Sequence, residues 1–159
     1  MMRFETPFGP AWAAVNDNGS VTGFGFGVAK SEGARHPEVA RQIEDFFAGK
    51  RRDFELPLAP EGSDFQKRVW AELIKIPFGE TISYGELARR VGRPGAARAV
   101  GRANATNPIA LIVPCHRVIG TNGTLTGYAG GIELKEKLLA WERKFIASGA
   151  DSGFLPGVL

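Results

Sequence analysis

One cysteine, Cys115, stands in a chain of 159 residues. No internal disulfide can form from it, and a lone thiol cannot assemble a thiolate metal site. The fold must therefore be held by a packed apolar core. The length suits one compact unit or two small subdomains sharing that core. Hydrophobic residues make up 43% of the chain, an ordinary fraction for a soluble globular protein. No apolar stretch approaches the ~20 residues of a membrane span. The amino terminus, Met1-Met2-Arg3-Phe4-Glu5, lacks the apolar core of a secretory signal. A free thiol fits a reducing interior. The expected location is the cytoplasm, or the nucleus in a cell that has one, with no membrane partner.

An isolated cysteine is commonly a small buried hydrophobe. The neighbours of this one favour chemistry. It sits in Leu111-Ile112-Val113-Pro114-Cys115-His116-Arg117-Val118. The apolar run Ile109 to Val113 reads as a buried strand, ended by Pro114, which lacks the amide donor a central strand needs. The thiol then falls where a core strand breaks into a loop, a place where reactive groups are held at the edge of a cleft. A thiol becomes a nucleophile only as a thiolate, and His116 stands next to it.

Residues 3–28 read as antiparallel strands: Trp12-Ala13-Ala14-Val15 and Val21-Thr22-Gly23-Phe24-Gly25-Phe26 flank the turn Asn16-Asp17-Asn18-Gly19. Pro37 can open a helix. Val39, Ile43, Phe46 and Phe47 follow at helical spacing, and Gly49 stops it. Lys50-Arg51-Arg52 reads as a solvated turn, and Leu56 to Gly62 as a linker. Ser63-Asp64-Phe65-Gln66 and Ser83-Tyr84-Gly85-Glu86 are capping-box patterns that each start a helix. Gly92-Arg93-Pro94-Gly95 breaks the second, and a small-residue helix follows from Ala96 to Ala105, ended by Asn107-Pro108. Two short helices joined by a glycine turn read as helix-turn-helix. Asn122-Gly123 signals a hairpin. A last helix spans Ile132 to Ala147, with Leu134, Leu138, Trp141 and Phe145 on one stripe.

The fold class expected is α+β. A small antiparallel-sheet amino-terminal subdomain (1–60) precedes a mostly helical carboxy-terminal subdomain with a helix-turn-helix (61–148). A mobile tail (149–159) follows. Charge is divided the same way. Residues 1–63 carry seven Lys and Arg against nine Asp and Glu, whereas residues 64–159 carry thirteen against eight. The basic excess lies with the cysteine and suits contact with phosphates.

Pro114-Cys115-His116-Arg117-Val118 resembles the active-site signature of the O6-alkylguanine-DNA alkyltransferases, or methylated-DNA–protein-cysteine methyltransferases. The resemblance runs from about Ser63 to about Glu142. It takes in Thr81-Ile82-Ser83-Tyr84-Gly85-Glu86-Leu87-Ala88, Ala96-Ala97-Arg98-Ala99-Val100-Gly101, Asn107-Pro108 and Gly127-Tyr128-Ala129-Gly130-Gly131. The first sixty residues match only loosely.

The resemblance implies single-turnover DNA repair. The alkyl group moves from O6-alkylguanine, with O4-alkylthymine a further candidate, to Cys115, and the thioether is not hydrolysed. The partner implied is double-stranded DNA containing O6-alkylguanine, bound by a monomer with cooperative loading left open. Displacing an alkyl group from oxygen calls for a soft nucleophile, and thiolate is the best a protein offers. The departing base calls for a proton or hydrogen-bond donor. The family pattern makes Cys115 the nucleophile, with His116 acting through a water and Glu142 behind it. Successive side chains of an extended segment diverge, which also argues against direct contact between Cys115 and His116. By the same pattern Tyr128 assists departure of the guanine, and Asn107 and Pro114 shape the active-site turn. Ala129 and Gly130 line the base pocket.

A base inside a duplex must be extruded before it can react. Arg98 matches the family's arginine finger, Tyr84 a tyrosine that presses on the target phosphate. Arg102 and Ala97 share the helix expected to meet DNA. Ala129 stands where some members carry serine, which bears on binding of free alkylated guanine. No cofactor and no metal are expected: some relatives bind zinc amino-terminally, but here His36 stands alone. Three other readings remain open on the residues themselves. These are a lesion-binding protein without catalysis, a cysteine hydrolase built from Cys115, His116 and Glu142, and a sequence-specific regulator.

Overall fold

The computed structural model describes residues 1–120, 122, 123, 128 and 131–147. Three strands, β1 (Met2–Thr6), β2 (Gly9–Val15) and β3 (Val21–Phe26), form an antiparallel sheet in that order. Burial alternates along β1: Met2 and Phe4 point into the core, Arg3 and Glu5 to solvent. That alternation is what a sheet with one wet face requires. On the other face Trp12 lies across β3, where a Cβ at Gly25 would come within 2.7 Å of its ring. Only glycine leaves room there.

Helix α1 (Pro37–Phe47) follows, opened by its proline as expected. Its buried side holds Val39, Ile43 and Phe46, and Gly49 ends the segment with φ +79. The basic run after it is not simply solvated. Arg51 Nη1 donates to Gln42 Oε1 at 3.0 Å, and the Arg52 guanidinium lies 5.4 Å from the Phe78 ring centroid. Arg52 thus buries Nε and Nη2 of its guanidinium beside that ring.

The segment 56–62 is also more than a tether. The Val21 amide donates to the Pro57 carbonyl and the Ala59 amide to the Val21 carbonyl, both at 2.8 Å. It thus extends the sheet beside β3. A second bridge, Phe24 to Ile109, ties the sheet to the segment that carries Cys115. Phe8, Phe46 and Phe47 pack against Trp141 of the last helix at ring separations of 5.2–6.1 Å. One buried apolar cluster therefore runs from Met2 to Leu138.

Helix α2 (Asp64–Leu73) carries the full capping box: Ser63 Oγ accepts from the Gln66 amide, and Gln66 Oε1 accepts from the Ser63 amide. Replacing Ser63 with alanine is expected to cost about 1 kcal/mol. A urea titration that shows less than a few tenths would contradict that value. The second box is half formed. Ser83 Oγ accepts from the Glu86 amide at 3.0 Å, but the Glu86 carboxylate turns to Arg89 and Arg90 instead of reaching back.

Strand β4 (Ile82–Ser83) leads into α3 (Tyr84–Arg90). Helix α4 (Ala97–Ala105) follows after the glycine turn. Each of the two packs against the other and on α2. The Trp70 indole locks this unit by donating to the Ala103 carbonyl at 2.8 Å. Strand β5 (Val118–Ile119) pairs with β4 in parallel. A turn closes at Asn122-Gly123, where the Gly123 amide donates to the Gly120 carbonyl at 2.8 Å. The rest of the hairpin expected there lies outside the described residues, as do Ala129, Gly130 and the tail 149–159.

Helix α5 (Ile132–Ala147) ends the described chain. Of the expected stripe of Leu134, Leu138, Trp141 and Phe145, Leu138 is fully buried and the other three are half-buried, with Leu134 and Trp141 packed against the core. The face sealed in the core is Lys135, Leu138, Leu139 and Glu142. Among the described residues no helix is long and apolar enough to cross a membrane.

Candidate active site

The apolar run Ile109 to Val113 is not a strand. It is a chain of tight turns, every residue of it buried. The Ile112 amide donates to the Ala110 carbonyl at 2.8 Å, which bends the backbone around Leu111 at φ +70. Such a conformation in a non-glycine residue costs about 1–3 kcal/mol and survives only where the surroundings impose it. Here Asn107 imposes it. Its Oδ1 accepts from the Ile109 amide, and its Nδ2 donates to the Val113 carbonyl at 2.8 Å. Pro114 follows at φ −78, ψ 64, close to the inverse γ-turn that its fixed φ favours. The Cys115 amide closes that turn on the Val113 carbonyl at 2.7 Å. A run of five apolar residues satisfies either a strand or a buried turn, so periodicity alone could not separate them.

Cys115, His116 and Arg117 then form a single 3-10 turn. The extended geometry expected for this segment is therefore replaced, and the side chains do not simply alternate. His116 Nε2 lies 2.6 Å from Glu142 Oε2, with both side chains fully buried. Arg117 clamps the same carboxylate through Nε at 3.0 Å and Nη2 at 3.0 Å, and its Nη1 donates to the Ile76 carbonyl at 2.7 Å. The Gly79 amide supplies another hydrogen bond to Glu142 at 3.0 Å. Burial opposes ionisation of Glu142, but His116 and Arg117 outweigh it and hold the carboxyl down at about 2.

Cys115 is 5% exposed. Burial pushes the thiol up to about 11, against the opposing hydrogen bond from Asn107 and the charge of Lys135. Cys115 is thus a thiol at rest, and a base must take its proton before it can attack. Burial also lowers the His116 pKa, with the charges of Arg117 and Lys135 acting the same way and Glu142 opposing. The neutral imidazole is favoured near neutrality. Tyr128 packs edge-on to His116 with ring centroids 6.5 Å apart. Burial, then the charges of Cys115 and Glu142, raise its hydroxyl pKa well above the usual value, so it stays protonated. Among the described residues three buried polar atoms at this site, His116 Nδ1, the Tyr128 hydroxyl and Asn104 Oδ1, have no hydrogen-bond partner.

Lys135 was not expected here. Its side chain is fully buried, with Nζ 5.8 Å from the Tyr84 ring centroid. Burial lowers its pKa to about 8, opposed by the attraction of Cys115. The signal that could have found it is spacing. Lys135 and Glu142 are seven apart with Leu138 between them, so two charges interrupt one apolar face of α5. Asn104 was missed as well; its Nδ2 donates to the Cys115 carbonyl at 3.2 Å and links α4 to the reactive turn.

Arg98 and Arg102 are exposed on α4, with Ala97 at its first position. Tyr84 is half-buried and lies beside Gly101, where an added Cβ would sit 3.8 Å from its ring. A separate cavity of about 440 Å³ opens behind the active-site turn, lined by Phe54, Leu56, Phe78, Pro114 and Arg117 among others. Cys115 and Tyr128 do not line it, so this hollow is not where a base would meet the sulfur.

Residues 64–144 match the family described as 6-O-methylguanine DNA methyltransferase, DNA binding domain. A methylated-DNA–protein-cysteine methyltransferase of Methanosarcina acetivorans is 50% identical over 148 residues, covering 87% of this chain and 95% of that one. The fold is similar to that of Mycobacterium tuberculosis OGT, solved in complex with DNA. The TM-score is 0.80 at 44% identity, over 90% of this chain and 92% of that one. It is also similar to an O6-methylguanine DNA methyltransferase of Methanococcus jannaschii, with a TM-score of 0.65 at 26% identity over 89% and 93% of the two chains. With the matched segment spanning both the two-helix unit and the buried Cys115 cluster, the chain belongs to the methylated-DNA–protein-cysteine methyltransferase family.

Proposed function

We propose that this protein repairs O6-alkylguanine in DNA by moving the alkyl group onto Cys115, once per molecule. The observation that carries the reading is that two of the unpartnered buried atoms at this site, His116 Nδ1 and the Tyr128 hydroxyl, belong to residues able to accept and to donate a proton. Buried polar groups without partners are rare and call for an explanation. The reaction supplies one. His116 Nδ1 is a proton acceptor for the thiol, through a bridging water, and the Tyr128 hydroxyl is a donor for the departing base. In the step itself the sulfur–carbon bond forms as the carbon–O6 bond breaks. The guanine keeps the bonding electrons and takes a proton back, so nothing is oxidised or reduced. The thioether is inert, so the protein is consumed.

Access to the base requires that it leave the stack. Arg98 and Arg102 on α4 suit contact with the duplex, with Arg98 filling the gap left by the base and Ala97 letting the helix approach closely. Tyr84, half-buried beside Gly101, presses on the target phosphate in this reading. Ala129 and Gly130 line the base pocket in this reading, with the backbone amide at Ala129 taking the place of a serine hydroxyl. Acceptance of O4-alkylthymine and cooperative loading belong to the same proposal.

Intact-protein mass spectrometry after incubation with O6-methylguanine duplex tests it. The expected result is one added methylene per chain, on Cys115, with methyl transferred never exceeding protein present. Multiple turnovers without modification would overturn it in favour of a hydrolase. Arg98→Ala is expected to slow repair in duplex DNA by about 10-fold or more, the scale of a lost positioning contact. It should leave reaction with free O6-benzylguanine near wild type. Equal losses on both substrates would remove the finger role.

A further inference from the structure

Arg117 has no part in the reading above, yet it makes more contacts with the buried carboxylate than His116 does. Both oxygens of Glu142 accept from Arg117, and Oε1 also accepts from the Gly79 amide. A carboxylate with these donors is an acceptor only. The hydrogen between it and His116 must therefore sit on Nε2. If the ring is neutral, Nδ1 carries a lone pair and no proton. Remove the guanidinium, and the only cation left to balance Glu142 in that contact is the imidazolium. Both ring nitrogens would then be protonated, and Nδ1 could accept nothing.

Resting on the assignment of Cys115 as alkyl acceptor, we propose that Arg117 is a positioning residue. By supplying the counter-charge to Glu142, it keeps His116 neutral with Nδ1 open to receive the thiol proton. The groups that face His116 are Glu142 and Lys135 from α5, Arg117 and Cys115 from its own turn, and Tyr128. Of these, Glu142 alone favours the imidazolium; Arg117 and Lys135 disfavour it. Arg117 grips the carboxylate directly, through Nε and Nη2 at 3.0 Å each. The guanidinium is itself fixed by the Ile76 carbonyl and stands 5.6 Å from the Phe78 ring centroid, so its place does not depend on the imidazole.

The direct test needs no variant. Nitrogen NMR of the wild-type protein at pH 7 should show His116 with Nε2 protonated and Nδ1 bare. An imidazolium at that pH would overturn the proposal. The second test follows alkylation of Cys115 by iodoacetamide against pH, a probe that does not involve DNA. Arg117→Gln should raise the pKa of His116 and carry the acid limb of the rate to higher pH. The rate at pH 7 should drop about 10-fold, as for outer partners of other reactive sites, and recover toward wild type at higher pH. Arg117→Lys, which keeps the charge, should hold the wild-type limb. A loss equal at every pH, or shared by both variants, would mean that Arg117 is only structural. Wild-type protein that reacts with iodoacetamide but takes no methyl from DNA would instead sink the repair reading and leave this one standing.

Discussion

Replacing Cys115 with alanine abolishes alkyl transfer and leaves the protein folded and able to bind DNA. The transfer is lost because this is the only thiol in the chain, and no hydroxyl or amine matches thiolate as a soft nucleophile. Folding survives because a small buried side chain is exchanged for a slightly smaller one. The stability loss should be about 1 kcal/mol, comparable to deletion of one buried methylene group. DNA affinity should change by no more than about 0.5 kcal/mol, since the sulfur lies behind the proposed contact helix and not on it. Gel-shift titration and denaturant unfolding check the two halves separately. Residual methyl transfer in the alanine variant would refute the assignment outright. Affinity lost with transfer would mean that the sulfur also shapes the DNA surface.

Replacing Glu142 with alanine should be far more damaging. It strips the counter-charge from a buried Arg117 and the hydrogen-bond acceptor from a fully buried His116 at once. Breaking a buried ion pair by removing one partner costs about 3–5 kcal/mol, a large share of a typical stability of about 5–15 kcal/mol. The variant should unfold at much lower urea than wild type, and a shift worth under about 1 kcal/mol would show that the network contributes little. The same carboxylate predicts an acid response. Its folded pKa is depressed, so its contribution is complete above the ordinary carboxyl value of 4.5 and is lost as pH falls toward about 2. His116 is depressed too, from 6.5. The unfolded chain takes up that proton first, so stability begins to fall below pH 6.5. Unfolding midpoints measured from pH 7 to 3 should therefore fall in two stages, and Glu142→Gln should shrink the lower one, leaving the smaller part due to Glu38 and Glu86, which are also depressed.

How much of this could be read from the letters varied with the kind of signal. Caps, glycine stops and apolar spacing placed the α-helices of the described residues, because those rules act within a few residues, but not the 3-10 turn at Cys115. The run Ile109 to Val113 misled because its turns depend on Asn107, whose side chain bonds the backbone at Ile109 and Val113. Hydrophobicity says that the run is buried but not how it bends. The buried face of α5 was legible in part. The stripe of Leu134, Leu138, Trp141 and Phe145 does meet the core, but apolar spacing did not show that Lys135 goes inside beside Leu138 and Glu142. A charge passes for a solvent-facing group until its surroundings are placed, as Arg117 and His116 are around Glu142. Cys115 stood out because it was alone, and Asn104 and Lys135 did not, because their partners are distant in sequence.

The two-residue parallel ladder of Ile82 with Val118 and Ser83 with Ile119 brings together points far apart in sequence. Between them runs residues 84–117, which hold both helices proposed to grip the duplex and the sulfur that ends the reaction. That ladder closes the stretch into a loop, and the Trp70 indole on Ala103 and Arg117 on Ile76 and Glu142 fasten it from inside. Duplex grip and sulfur chemistry are thereby carried on one ring of chain.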